Sequence, residues 1–152
     1  MATLYYDTIH FSEKELYFAA KDVGLVYIGT QEEQIQSAKF APEKMTLYKE
    51  EIRAYLNGER TQFTVPIDLA ATPLQLEVFN ALQAIPYGET RTYTEIAEQI
   101  NRPKAVRAVG TAIGKNPLLL VIPCHRVIGK NGKLTGYSGG IAMKEALLTL
   151  EK

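Results

Sequence analysis

The stretch V-I-P-C-H-R-V-I-G, residues 121–129, holds the one cysteine of the chain, Cys124, and directly after it one of its two histidines, His125. An apolar run at 118–122 leads in and reads as a strand, Pro123 stops it, and Arg126 follows. A thiol becomes a nucleophile when a base or a positive charge favours the thiolate, and both kinds of neighbour adjoin Cys124 in sequence. A lone cysteine is also commonly a small buried hydrophobe, so the stretch by itself leaves two readings open.

Upstream, Thr72-Pro73-Leu74-Gln75 is a capping box with proline at the first helical position, and Leu76, Phe79 and Leu82 carry the helix on to Pro86-Tyr87-Gly88. Thr92-Tyr93-Thr94-Glu95 is a second capping box, opening a short helix through Ile96, Ala97 and Ile100. After the turn Asn101-Arg102-Pro103, a third helix is expected from Lys104 towards Ile113, with Gly114 as its stop. Two short helices, a tight turn and the small residues Ala105, Ala108, Gly110 and Ala112 form a helix-turn-helix pattern. Its second helix carries Arg107 among small apolar residues, which suits the sugar-phosphate backbone or the minor groove better than reading base edges. A packing helix with one exposed arginine fits the same pattern.

Downstream, Asn116-Pro117 closes the third helix. Beyond the cysteine come Gly129 to Gly132 and then Thr135-Gly136-Tyr137-Ser138-Gly139-Gly140, glycines that let backbone approach a flat ligand closely. The phosphate-cradling spacing G-x-x-x-x-G-K-[ST] is absent. Residues 141–150 form a final amphipathic helix whose charges are Lys144, Glu145 and, just past it, Glu151. In the first part of the chain, residues 4–9, 16–20 and 25–29 read as strands, with a hairpin turn at Lys21-Asp22-Val23-Gly24. Residues 43–56 read as a helix through Leu47, Tyr48, Ile52, Tyr55 and Leu56, stopped by Asn57-Gly58, and 62–65 as a returning strand. His10 has no histidine or cysteine near it in sequence, and no metal-ligand set is evident.

The chain has 152 residues, 46% hydrophobic and 22% charged, enough for one or two small domains with a real core. No apolar run approaches the roughly 20 residues that span a bilayer, and no signal peptide is evident. A single cysteine forms no internal disulfide, which points to a reducing cytoplasm. Net charge is zero but unevenly spread: residues 1–68 carry eleven acidic and seven basic side chains, and residues 91–133 two acidic and eight basic. A solvated surface or a polyanion-binding face explains the basic half equally well.

Together, I-P-C-H-R-V at 122–127, R-A-V-G at 107–110, K-N-P at 115–117 and Y-S-G-G at 137–140 resemble the O6-alkylguanine-DNA alkyltransferase family over residues 72–152. Over 1–71 the likeness is one of layout. The resemblance implies an α/β protein: a ribonuclease H-like N-terminal lobe, 1–71, and a mostly helical, winged-helix-like DNA-binding domain with helix-turn-helix, 72–152. It implies repair of DNA by direct reversal, the alkyl group of O6-alkylguanine (and O4-methylthymine) passing irreversibly to Cys124 in one turnover. His125 would be the base acting through a bound water, Glu151 would orient the imidazole, and Asn116 would set the turn that positions the reactive segment. Arg107 would fill the gap left by the flipped-out nucleotide, with Lys104, Ala108, Tyr93 and Arg126 as further DNA contacts. Tyr93 would stabilise charge on the leaving guanine, while Val127, Cys124, Tyr137 and Ser138 would line the pocket. The implied partner is double-stranded DNA containing O6-alkylguanine, met by a monomer with no membrane association and neither metal nor organic cofactor. Zinc sites built in some relatives from N-terminal cysteines are not expected, Cys124 being the sole cysteine. Two other classes remain open: a Cys-His hydrolase or acyltransferase, and a lesion-binding protein without catalysis.

Overall fold

The computed structural model describes residues 3–152. The chain divides into two compact units, Met1–Leu69 and Ala70–Lys152.

In the first unit β1 (Tyr5–Phe11), β2 (Lys14–Ala20) and β3 (Leu25–Gly29) form an antiparallel meander, and the short β4 (Lys39–Phe40) pairs parallel with β1 on its other side. Ser12 and Glu13 join β1 to β2 with φ of 53° and 63°, a two-residue turn whose hand matches the strand twist. The expected turn at 21–24 closes with Lys21 and Gly24 exchanging both backbone hydrogen bonds, 3.1 and 3.2 Å. Leu16, Phe18, Leu25 and Ile28 of the sheet form the core with Met45 and with Ile52 and Tyr55 of α1 (Thr46–Leu56). Leu47, whose spacing places it on the buried face, is instead 77% exposed. It lies in the first turn of α1, and Met45, one residue before the helix, takes the buried place. Residues 62–65 are not a strand. The Glu51 carboxylate takes the N–H groups of Thr64 (2.8 Å) and Val65 (3.2 Å) and the Thr64 hydroxyl, so this segment is held by a side chain rather than by a ladder. Only Ile67 bridges to the sheet, at Leu25.

The second unit begins with α2 (Pro73–Gln83), then β5 (Arg91–Thr92), α3 (Tyr93–Gln99) and α4 (Val106–Gly114). Both capping boxes form: Thr72 and Gln75 satisfy each other's backbone N–H at 3.2 and 3.0 Å, and Thr92 and Glu95 do so at 3.1 and 2.8 Å. The three helices pack on one another through Val78, Phe79 and Leu82, Ile96 and Ala97, and Val109, Ala112 and Ile113. The third helix starts at Val106 rather than Lys104, because Asn101 (φ 62°) and an Ala105 N–H to Arg102 carbonyl bond of 2.9 Å make residues 101–105 a turn. Gly114 is its last residue rather than a stop beyond it. β6 (Val127–Ile128) pairs parallel with β5, which brings the start of α3 beside the segment after the cysteine. The chain ends in α5 (Ile141–Leu150).

Candidate active site

Residues 118–122 are a buried turn, not the expected strand. The Ile122 N–H returns to the Leu118 carbonyl at 3.0 Å, and Leu120 has a φ of 75°. Asn116 imposes this shape: its Nδ2 donates to the Ile122 carbonyl at 2.8 Å and its Oδ1 accepts from the Leu118 N–H at 2.9 Å. Asn116 itself is 8% exposed, so both bonds are made away from water, where leaving them unmade is costly. Leu118, Leu119, Leu120 and Ile122 are buried, as an apolar run suggests, but around a turn whose polar backbone an amide side chain satisfies.

The turn delivers Cys124, which opens a single 3₁₀ turn, Cys124–Arg126. Cys124 is 5% exposed, and burial pushes its thiol up to about 11, with the Asn116 side chain and the Lys144 ammonium acting in the opposite direction. Burial therefore works against the ionisation that the sequence neighbours would favour. The Cys124 carbonyl accepts the Val127 N–H, closing the turn.

His125 is fully buried, and its Nε2 meets Glu151 Oε2 at 2.7 Å. Burial holds the imidazole below its ordinary value; Glu151 pulls it up, while Arg126 and Lys144 push it down. A neutral imidazole beside a protonated thiol is the pair needed for a base that takes the proton only during reaction. Arg126, expected on DNA, is 6% exposed and directed inward. Its Nε and Nη2 donate to Glu151 at 2.7 and 3.1 Å, its Nη1 donates to the Ile85 carbonyl at 2.8 Å, and the Tyr87 ring lies 5.5 Å from its guanidinium. A guanidinium held on three sides in the interior does not reach a phosphate, so Arg126 is not a DNA contact.

Lys144, one of the charges of the final amphipathic helix, is 1% exposed and donates to the Thr135 carbonyl at 2.9 Å. The Tyr93 hydroxyl donates to the same oxygen at 3.4 Å. The signal is present in the spacing: Lys144 and Leu147 of α5 and Glu151 at its C-cap fall at i, i+3 and i+7, one stripe, and that stripe is buried. Tyr137 is 8% exposed and Ser138 is at the surface. A Cβ on Gly139 would lie 2.8 Å from Met143 and from the Tyr137 ring, and Gly140 begins α5 at φ 96°, so each glycine answers a separate constraint.

On α4 the buried Val109, Ala112 and Ile113 leave Arg107, Ala108 and Thr111 exposed on the opposite face, with Lys104 exposed in the preceding turn. Tyr93, half-buried at the start of α3, lies 3.9 Å from where a Gly110 Cβ would stand and 3.7 Å from that of Gly136. It therefore links the helix-turn-helix to the loop that precedes Tyr137. Among the described residues no three His, Cys, Asp or Glu side chains gather as a metal-ligand group, and no helix is long and apolar enough to cross a membrane. Near Glu151 a cavity of about 390 Å³ opens between Thr90, Ile128, Leu148 and Lys152, away from Cys124.

Residues 4–69 match the ribonuclease-like domain of 6-O-methylguanine DNA methyltransferase, and residues 73–152 match its DNA binding domain. The chain belongs to the 6-O-methylguanine DNA methyltransferase family. It is 49% identical over 163 residues to the inducible methylated-DNA--protein-cysteine methyltransferase of Bacillus subtilis (strain 168), covering 99% of this chain and 91% of that one. To the methylated-DNA--protein-cysteine methyltransferase of Methanosarcina barkeri it is 40% identical over 158 residues, covering 98% of each. Among solved structures, Mycobacterium tuberculosis O6-methylguanine methyltransferase superposes with a TM-score of 0.91 at 44% identity, over 99% of this chain and 93% of that chain. Mycobacterium tuberculosis OGT in complex with DNA superposes at 0.90 with 46% identity, over 97% and 92%. In the terms of the family, the first unit here is the ribonuclease-like domain and the second the DNA binding domain.

Proposed function

We propose that this protein repairs DNA by direct reversal, transferring the alkyl group of O6-alkylguanine to Cys124. The observation that carries this reading is the placement, within the unit that holds the helix-turn-helix, of a buried thiol followed directly by a histidine whose Nε2 bonds Glu151 at 2.7 Å.

Double-stranded DNA is the partner, and the substrate base is stacked within it, so the nucleotide is rotated out at a cost of a few kcal/mol. Arg107 fills the vacated stack from the exposed face of α4, and Lys104, Ala108 and the backbone around them meet the phosphates. The base then lies against Tyr137 and Ser138, its exocyclic amine donating to the carbonyls of Cys124 and Val127. His125 takes the thiol proton through a bound water, using Nδ1, while Glu151 holds Nε2. The sulfur attacks the alkyl carbon, the S–C bond forms as the C–O6 bond breaks, and its electron pair stays on the purine, which takes up one proton with help from Tyr93. The product is a thioether. It offers no carbonyl for water to attack, so the protein is consumed after one turnover. The chain works as a monomer in the reducing cytoplasm, consistent with a functional thiol and no partner cysteine.

Intact-mass measurement after incubation with duplex DNA containing O6-methylguanine tests this. The expected result is a gain of one methyl on the peptide containing Cys124, saturating at one equivalent and lost in Cys124→Ala with DNA binding retained. Continued product release beyond one equivalent would overturn it.

A further inference from the structure

We propose that Arg126 is a positioning residue of the alkyl transfer: its buried guanidinium grips both oxygens of Glu151 and balances that carboxylate's charge, so that Glu151 orients His125 without binding a proton to it. The proposal rests on the function argued above and adds a residue to its machinery.

The geometry is unusual for two neighbours in sequence. His125 and Arg126 are consecutive in one 3₁₀ turn, yet both side chains converge on one carboxylate, at 2.7 Å from the imidazole and at 2.7 and 3.1 Å from the guanidinium. The remaining arm of the fork is fixed by the Ile85 carbonyl at 2.8 Å, in the segment that leaves α2, and Tyr87 of that segment lies against the guanidinium face at 5.5 Å. Two-pronged binding of this kind fixes orientation as well as position, which a point charge does not. Glu151 is therefore held in one rotation, and through it the plane of the imidazole.

Charge acts in the same direction as geometry. A buried carboxylate facing an imidazole alone would favour the imidazolium, and an imidazole that already holds two protons does not accept one from a thiol. With Arg126 added, the neutral imidazole, the carboxylate and the guanidinium sum to zero in the interior. The other charged or titratable groups around His125 act consistently: Lys144 on α5 also disfavours imidazolium, Cys124 in the same turn is protonated at rest, and Tyr87 carries no charge. Removing Arg126 takes away one of the charges that oppose Glu151, leaving burial and Lys144 alone against the carboxylate's upward pull on the ring.

The alternative is that Arg126 only ties together three chain segments. That role predicts a loss that is the same at every pH. The two are separated with Arg126→Met and Arg126→Lys made in a His10→Gln background, where His125 is the one histidine left and its ring nitrogens give the sole imidazole signals in a nitrogen-edited spectrum. His10 is exposed on β1 and takes no part in the site. In Arg126→Met the midpoint of the His125 titration should rise by about one pH unit or more, and the acidic limb of the methyl-transfer rate should move with it. At a pH below that limb this is a loss of about tenfold, shrinking towards the alkaline plateau. Arg126→Lys should recover part of both. Should Arg126→Met fail to fold, Arg126→Gln keeps a donor without the charge, and the same upward movement is expected. An unmoved His125 titration in a folded variant, or a rate loss independent of pH, overturns the proposal while leaving the repair function standing. A parent protein that takes up no methyl group removes both.

Discussion

Burial opposes ionisation of Cys124, and its reactivity is therefore conditional. Burial dominates the thiol, and the influences that oppose it are Asn116, which also shapes the turn before it, and Lys144, which reaches in from α5. A thiol of this kind is shielded from solution electrophiles and reacts with a group that is brought to it. The Lys144 ammonium favours the thiolate, so Lys144→Met should push the thiol further up and move the rise of the methyl-transfer rate to higher pH. A rise displaced by about one pH unit lowers the rate at neutral pH by about tenfold. Because Lys144 also holds the Thr135 carbonyl, the variant should be examined by circular dichroism alongside the rate. A pH–rate profile identical to the parent would show that the buried ammonium does not act on the sulfur.

At the scale of elements, α4 and the loop beyond β6 have divided the work. The helix buries Val109, Ala112 and Ile113 and turns Arg107, Ala108 and Thr111 outward, a face with small side chains around a single long cation. Such a face can lie close to a nucleic-acid backbone. Arg107→Ala should slow methyl transfer on duplex DNA by about tenfold or more, since a lost wedge raises the cost of eversion, and change the reaction with free O6-methylguanine within about twofold. Equal slowing on both substrates would remove the wedge role. The start of α3 couples the two elements. Its capping box fixes Thr92, and the adjacent Tyr93 donates to the Thr135 carbonyl at 3.4 Å, the same oxygen that Lys144 holds from α5. The loop before Tyr137 is thus anchored from the start of α3 and from α5, which Glu151 directly follows.

Across the whole molecule the charges are distributed by unit. In the acidic first unit, the Glu51 carboxylate is held by several neighbouring groups. Burial raises the Glu51 carboxyl, but hydrogen bonds from Thr64 and Val65 and the charge of Arg60 outweigh it and hold the group below its ordinary value. A carboxyl depressed in the folded state adds stability above its unfolded value, and that stability is lost as pH falls through the folded value. Glu51→Gln should therefore cost about 1–2 kcal/mol at neutral pH by thermal unfolding, and less as the pH falls below the ordinary carboxylate range. A cost that does not change with pH would mean that the hydrogen bonds matter and the charge does not.

Much of this is readable from local pattern. Helix starts at Thr72 and Thr92, the turn at 21–24, the helix-turn-helix and the adjacency of Cys124 and His125 all depend on residues within a few positions of one another. Their physics is short-range: a capping side chain reaches its own helix, and a proline or glycine acts on its own φ. Local pattern fails for segments whose backbone polar groups are satisfied by a side chain instead of a ladder. The run at 118–122 bends because Asn116 supplies its backbone bonds, and 62–65 leaves the sheet because Glu51 takes its N–H groups. Arg126, Lys144 and Glu151 escape it for a related reason. A charged side chain in sequence is read as solvated, since isolated burial of a charge is so unfavourable. Only the tertiary structure brings 126 to 151 and 144 to 135, where fixed partners replace water and let charge persist inside.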